Sequence, residues 1–317
     1  MASARLAKAM KSHEERTATE PRDKSLHPVL LDTITPVNSR IKRYRFSIKD
    51  ENGINFLPGQ WLDVHVPGIE KAGGFTITSA SGHAKPTASD DEHVPFLELA
   101  VQKSPDNPPA AWLWQIEESI VGKELDVRVG GSFVWPPPGV DMDKIKRAVF
   151  IAGGVGINPL ISILSHIRKE HPSIEARFLY STKVPSKDAE PSQVLFLLQL
   201  LDLFRKPRDE QSNNRLELFF TGAWDGSQLN RKDDEPVHPL MSLTIPKLDL
   251  ETEVPVVSRT HRIDEAALSS AVGDDEQQIR ASVFYVCGPP RMTDSIVEFL
   301  RAQNHVLHEQ VLCEKWW

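Results

Sequence analysis

The chain has 317 residues, with 37 Lys plus Arg against 44 Asp plus Glu and a net charge of −7, which argues against a nucleic-acid partner held by backbone electrostatics. Its length predicts two domains, its 40% hydrophobic content is that of an ordinary globular protein, and no apolar run approaches the ~20 residues needed to span a bilayer. Two cysteines, Cys287 and Cys313, make neither a disulfide framework nor an iron–sulfur centre, and the 11 histidines show no ligand spacing, so no metal is expected.

The first dozen residues carry Arg5, Lys8 and Lys11 and no acid, with Leu6, Ala9 and Met10 opposite them on a helical wheel. That is the composition of a mitochondrial transit peptide. Glu14 and Glu15 follow at once, so a disordered tail over 1–26 of a cytoplasmic protein stays open. From about His27 the pattern becomes period-two: Tyr44, Phe46 and Ile48, then Leu62, Val64 and Val66, then Leu97, Leu99 and Val101, then Leu125, Val127 and Val129. Asn52-Gly53, Pro58-Gly59, Pro67-Gly68 and Gly122-Lys123 separate these runs as turns. Short half-buried strands at this spacing predict an antiparallel barrel or sandwich over 27–138, with one helical insert at Ala110–Ser119.

Trp135-Pro136-Pro137-Pro138-Gly139 marks a linker. Beyond it, strands at 148–152, 176–181, 216–221, 282–286 and 310–315 alternate with helices at 159–169, 192–205, 264–271 and 291–302. That alternation predicts a mostly parallel sheet with helices on both faces over 146–317. Val194 to Leu203 reads as a buried helix. Residues 223–262 are polar and hold Pro236, Pro239, Pro246 and Pro255, so they read as a long exposed insertion.

The densest chemical signal is Val149 to Pro159. A buried apolar strand, Val149 to Ala152, runs into Gly153, Gly154, Val155 and Gly156, where the backbone turns sharply and approaches a ligand without a Cβ in the way. Asn158 reads as a helix cap after Ile157, and Pro159 as the first helical residue. The helix N-terminus then aims its N–H groups and the positive end of its dipole at the loop, a seat for a phosphate. A second strand, Val283 to Val286, stops at Cys287-Gly288-Pro289-Pro290 and leads through Met292 into a helix. It places Cys287 at the carboxyl edge of the sheet, where open α/β sheets bind ligands. Neither the Gly-Lys-Ser/Thr of a P-loop nor a complete G-x-G-x-x-G is present.

G-G-V-G-I-N-P followed by C-G-P-P-x-M resembles the nucleotide-binding half of the ferredoxin–NADP reductase superfamily. Within that superfamily the chain resembles the small group called oxidoreductase NAD-binding domain-containing protein 1. Shared stretches are Gly73-Gly74-Phe75, Leu97 to Val101, Arg128-Val129-Gly130-Gly131, Ile151 to Pro159, the Cys287 turn and Glu314-Lys315-Trp316-Trp317. The resemblance implies an antiparallel Greek-key flavin-binding barrel followed by a doubly wound parallel-sheet nucleotide-binding domain. It implies NAD or NADP on Gly153 to Pro159, with Cys287 beside the nicotinamide and Gly288, Pro289 and Met292 around it. It implies FAD on the barrel motif at Phe75, Thr76, Ile77, Thr78 and Ser79, with Phe75 flanking the ring and Thr76 near flavin N5. Trp316 or Trp317 would stack on the flavin, and Glu314 would take part in proton transfer. Cys287, Thr76 and Glu314 are therefore the catalytic candidates.

Two departures stand out. The superfamily arginine that pairs with the flavin pyrophosphate is Gly73 here, and a Gly-rich phosphate turn is replaced by Asn107-Pro108-Pro109-Ala110, whose prolines have no N–H. Lys85, Lys103, Arg128 and Ser132 are candidate substitutes. Ser181 and Lys183, past the second strand of the nucleotide domain, sit where NADH is told from NADPH. The implied activity is a flavin-dependent NAD(P)H oxidoreductase that passes hydride to FAD and electrons to an unknown acceptor or a separate electron-carrier protein. The rival is an NAD(P)-binding sensor or regulatory protein that has lost flavin chemistry.

Overall fold

The computed structural model describes residues 12–86, 94–186, 189–207, 212–222, 252–254 and 256–315. The described residues form two compact units, 12–36 with 40–138, and 37–39 with 139–315. The division falls inside the proline run that the sequence marks as a linker.

The first unit is a six-stranded antiparallel sheet of β1 (His27–Asn38), β2 (Ile41–Ile48), β3 (Trp61–His65), β4 (Gly73–Thr76), β5 (Phe96–Gln102) and β6 (Glu124–Gly130). Its order is β4-β3-β6-β1-β2-β5. The period-two apolar residues explain it. Tyr44, Phe46, Leu62, Val64, Leu97, Leu99, Val127 and their neighbours share one buried core. Ile77 bridges Leu99 across the outer strands, and the Thr78 N–H donates to the Glu98 carbonyl at 2.8 Å, which closes the sheet into a barrel. The predicted single helical insert is two short helices, α2 (Pro108–Leu113) and α3 (Glu117–Ile120), after the N-terminal α1 (His13–Arg16).

Residues 12–26 are not a free tail. Ser12 and Glu15 form a reciprocal capping box on α1. Arg22 then bridges Gly130, and the Asp23 N–H donates to the Val129 carbonyl at 2.8 Å. This strap extends the pairing of β1 along β6. It also covers Asp63, which is fully buried. Asp63 accepts from Arg22 Nε at 2.9 Å, from Arg128 Nε at 3.0 Å and from Arg128 Nη2 at 2.8 Å. The His13 Nε2 atom lies 3.4 Å from its other oxygen. The His13 ring meets Trp61 edge-on with centroids 4.5 Å apart, and the Arg22 guanidinium lies 4.8 Å above the same indole. A Cβ on Gly74 would overlap the His13 ring, so the glycine makes room for the strap.

Burial pushes the His13 pKa down from 6.5 to about 4, outweighing the attraction of Asp63, and Arg16 and Arg22 push the same way. The folded strap therefore holds a neutral imidazole. Below the unfolded value of 6.5 the unfolded chain takes up a proton that the folded chain resists, so stability falls as the pH drops from 6.5 toward 4. Melting curves between these limits should show a larger loss for the wild type than for His13→Gln. Parallel loss in both proteins would remove His13 as the cause.

The second unit holds β7 (Arg147–Gly153), α4 (Ile157–Glu170), β8 (Glu175–Val184), α5 (Leu197–Leu203), β9 (Lys206–Pro207), β10 (Arg215–Gly222), β11 (Thr252–Glu253), β12 (Val256–Arg259), α6 (Glu265–Val272), α7 (Glu276–Arg280), β13 (Ser282–Cys287), α8 (Pro290–Arg301) and β14 (Val311–Glu314). The main sheet runs β12-β10-β8-β7-β13-β14, and β9 pairs with β11. Its adjacent strands are parallel throughout. From β7 the chain winds outward through β8, β10 and β12, then returns to β13 on the other side. The order thus reverses between β7 and β13, the place where open α/β sheets bind ligands.

Three expectations change. The helix expected at 192–205 is only Leu197–Leu203, because Phe196 takes a left-handed φ of 58° and interrupts it. Leu198 on that helix is 42% exposed, so the element is buried on one side only. The insertion expected at 223–262 contains a sheet strand, since β12 pairs with β10 from Leu216–Val256 to Phe219–Arg259. Residues 223–251 lie outside the described residues.

Candidate functional site

The site in the second unit grows from two fully buried strands, β7 and β13. Their ends are neighbours, with Cys287, the last residue of β13, opposite Ala152, the last but one of β7. The Gly153 loop and the Cys287 loop therefore leave the sheet side by side. Their glycines interlock. A Cβ on Gly153 would come 2.5 Å from the Met292 sulfur and 2.7 Å from Pro289 Cδ. One on Gly156 would come 2.5 Å from the Cys287 carbonyl carbon and 2.6 Å from the Gly288 nitrogen. Gly153 and Gly156 have ordinary φ values of −125° and −63°. These two positions need glycine for loop-on-loop packing and not for an unusual turn.

Gly154 is different. Its φ is +55°, and a Cβ there would meet nothing within 4 Å. It is the turn residue, and its open side leaves bare backbone uncovered. Gly154–Gly156 form a short 3-10 turn that runs directly into α4, and no side chain caps the helix. Asn158 is consequently not the cap. It is the second residue of α4, and Pro159 is the third, a position whose N–H has no intrahelical acceptor in any case. Val155 and Ile157 complete the turn. The uncapped first turn of a 14-residue helix presents positive potential beside Gly154, which fits an anionic pyrophosphate.

Cys287 is 1% exposed, and burial, with Glu314 next, raises its pKa well above the usual thiol range. The thiol is a neutral packing group and not a thiolate nucleophile. Glu314 on β14 is paired opposite it and is itself buried. The sequence pattern misses Thr293, a buried hydroxyl on α8 that donates to the Gly288 carbonyl at 3.1 Å and fixes the Cys287 turn. Ser181 lies opposite Gly153. Lys183 is two residues further and lies against Gly222, where a Cβ would approach its Cγ at 2.6 Å. Trp316 and Trp317 lie outside the described residues.

The barrel residues form a separate set. Phe75 is half-buried against the barrel core, and Thr76 and Ile77 are buried. Thr78 donates to the Glu98 carbonyl at 3.1 Å, and Ser79 accepts from the Glu98 N–H at 3.1 Å. Those two hydroxyls close the barrel. A flavin ring fits the aromatic and hydroxyl offered by Phe75 and Thr76. Its phosphates do not fit the residues present. A Cβ on Gly73 would come 2.6 Å from both the Phe75 ring and Pro109. Of the candidate substitutes, Arg128 is held by Asp63 and Glu14 and Ser132 by Glu20, while Lys103 lies 5.4 Å from the Trp114 ring centre and Lys85 makes only a 3.5 Å contact with the Asn52 carbonyl. Among the described residues no group of acids, histidines and cysteines could hold a metal ion.

A Greek-key barrel and a doubly wound sheet with two adjoining glycine loops at its switch point define a ferredoxin reductase-like flavin- and NAD-binding fold. Solved structures share it: an Amycolatopsis cytochrome P450 reductase, GcoB, matches 94% of this chain and 71% of its own at TM-score 0.64 and 16% identity. Phthalate dioxygenase reductase matches 96% of this chain and 70% of its own at TM-score 0.54 and 15% identity. In sequence, oxidoreductase NAD-binding domain-containing protein 1 of Xenopus tropicalis is 33% identical over 309 residues, covering 96% of this chain and 84% of that protein. The chain belongs to that family. The reductase component of propane 2-monooxygenase from Rhodococcus jostii is 26% identical over 285 residues, covering 89% of this chain and 61% of that protein. No family model matches the chain.

Proposed function

We propose that the chain is an NAD(P)H-dependent flavin oxidoreductase. The observation that carries this reading is the pair of interlocked loops after β7 and β13, seated at the reversal of strand order, in a fold shared with reductases. Gly154 and the first turn of α4 hold the pyrophosphate. Cys287, Gly288 and Pro289 form a wall for the nicotinamide, and the buried neutral thiol sets its distance without reacting. Thr293 keeps that wall in place through the Gly288 carbonyl. Glu314, beside Cys287, is the carboxylate placed to hold or move a proton. Flavin supplies the hydride-accepting chemistry when bound. Phthalate dioxygenase reductase is described as a modular structure for electron transfer from pyridine nucleotides to [2Fe-2S]. By analogy, a reduced flavin here serves an acceptor outside the described residues.

The test is anaerobic mixing of protein, flavin and NADH or NADPH, following loss of the visible flavin absorbance. Catalysed bleaching supports the reading. Nucleotide binding with no bleaching would instead leave a sensor. Cys287→Ala should slow flavin reduction roughly tenfold through misalignment, while nucleotide affinity changes much less. An unchanged single-turnover rate would reduce Cys287 to a core residue.

A further inference from the structure

We propose that flavin is a diffusible substrate of this chain, recognised by its ring system and not by its phosphates. The inference rests on the oxidoreductase reading above and names the acceptor in it. The ring contacts are present. Phe75 offers an aromatic face partly clear of the core, and beside it the largely buried Thr76, 4% exposed, carries a hydroxyl with no hydrogen bond to another described residue.

Among the described residues, the Gly73 position and the start of α2 give a phosphate no grip. At Gly73 any side chain must displace both the Phe75 ring and Pro109, each 2.6 Å from its Cβ position. At the start of α2, Pro108 and Pro109 have no N–H. The next two donors are used locally, the Ala110 N–H by Asn107 Oδ1 at 3.4 Å and the Ala111 N–H by the Asn107 carbonyl at 2.8 Å. The two nearby arginines are committed. Arg22 and Arg128 converge on Asp63. Lys42 and Lys103 lie 5.1 and 5.4 Å from the Trp114 ring centre. A pyrophosphate brought here loses its water and meets no free helix N–H and no arginine without a carboxylate partner, only lysines drawn toward an indole. A bare isoalloxazine keeps its stacking and its hydrogen bond. The barrel therefore gains little from anything beyond the ring, and riboflavin, FMN and FAD become equivalent, weakly held ligands.

The step balances without a further reactant. Hydride leaves C4 of the reduced nicotinamide for flavin N5, and a proton from water reaches flavin N1. NAD(P)H, a proton and oxidised flavin become NAD(P)+ and two-electron-reduced flavin, and both products leave.

The full-length protein is desalted and titrated with riboflavin, FMN and FAD, reading quenching of flavin fluorescence. NADH oxidation is then measured against the concentration of each flavin. The expected result is a protein that carries little flavin through gel filtration. Its dissociation constants and kcat/KM values for the three flavins should agree within about threefold, since the phosphates add no strong contact. Phe75→Leu should weaken all three by one common factor. Stoichiometric FAD that survives gel filtration, or FAD bound more than about a hundredfold tighter than riboflavin, overturns the proposal and leaves the oxidoreductase reading standing. Nucleotide binding with no flavin binding, or flavin binding with no NADH or NADPH oxidation, overturns both.

Discussion

Gly156→Val is expected to abolish dinucleotide binding while the barrel unit stays folded. The reason is packing and not backbone angle, because Gly156 has φ −63° and ψ −7°, which valine accepts. A Cβ there would sit 2.5 Å from the Cys287 carbonyl carbon and 2.6 Å from the Gly288 nitrogen. Both obstacles are backbone at the end of the central strand β13, so neither can swing away like a side chain. Overpacking in a dense interior costs about 1–3 kcal/mol, and more when main chain must move. The cheapest relief is to push the Gly153 loop off the Cys287 loop, which opens the crevice and turns the α4 terminus. Affinity for NADH should fall at least about a hundredfold. Gly154→Ala is the contrast. Its Cβ enters open space, so the effect is limited to a left-handed strain of about 1–2 kcal/mol. Calorimetric titration with NADH, alongside melting curves, separates the two. A folded Gly156→Val protein with wild-type NADH affinity would disprove the nucleotide assignment.

Asp63→Asn should be the most destabilising single change in the barrel unit. The carboxylate is fully buried and accepts three hydrogen bonds from Arg22 and Arg128 on one oxygen. Neutralising it leaves two guanidinium groups in a poorly hydrated place with Glu14 as the remaining acid on Arg128. Breaking a buried ion pair by removing one partner costs about 3–5 kcal/mol, because the stranded charge is not compensated. Denaturant unfolding should show the midpoint fall with little change in slope. Asp63→Asn paired with Arg128→Met should recover part of the loss, since the stranded charge goes with its partner. Equal midpoints for Asp63→Asn and wild type would show that the strap holds by its backbone pairing alone.

The elements with a strong period were legible in the sequence. Leu62, Val64, Leu97 and Leu99 alternate because one face of each barrel strand meets the core. The apolar runs of β7 and β13 are continuous because these strands are covered on both faces. The two glycine-bearing loops were legible for the same reason, as each follows such a run. β12 was hidden because it has only four residues, Val256–Arg259, in a Pro-rich polar setting. The strap was hidden because its anchors are polar. His13 and Arg22 read as surface residues until Asp63 is known to face them, and Arg22 is 41 positions from Asp63 in the chain. Arg128 suffered the opposite error, since a cation looks available for phosphate until its carboxylate partners are seen. The role of Gly156 was also misplaced. A glycine required by a neighbouring loop and one required by a ligand look the same in sequence.

The strap makes residues 12–22 part of the folded barrel unit. A processing peptidase that cuts anywhere upstream of Ser12 leaves the barrel with its α1 capping box intact. A cut only a few residues later removes His13 from the space above Gly74 and wets the Trp61 face. A cut beyond Arg22 takes away one of the two arginines on Asp63. Truncation to Ser12 should therefore leave the melting temperature of the barrel unit unchanged, while truncation to Asp23 should lower it.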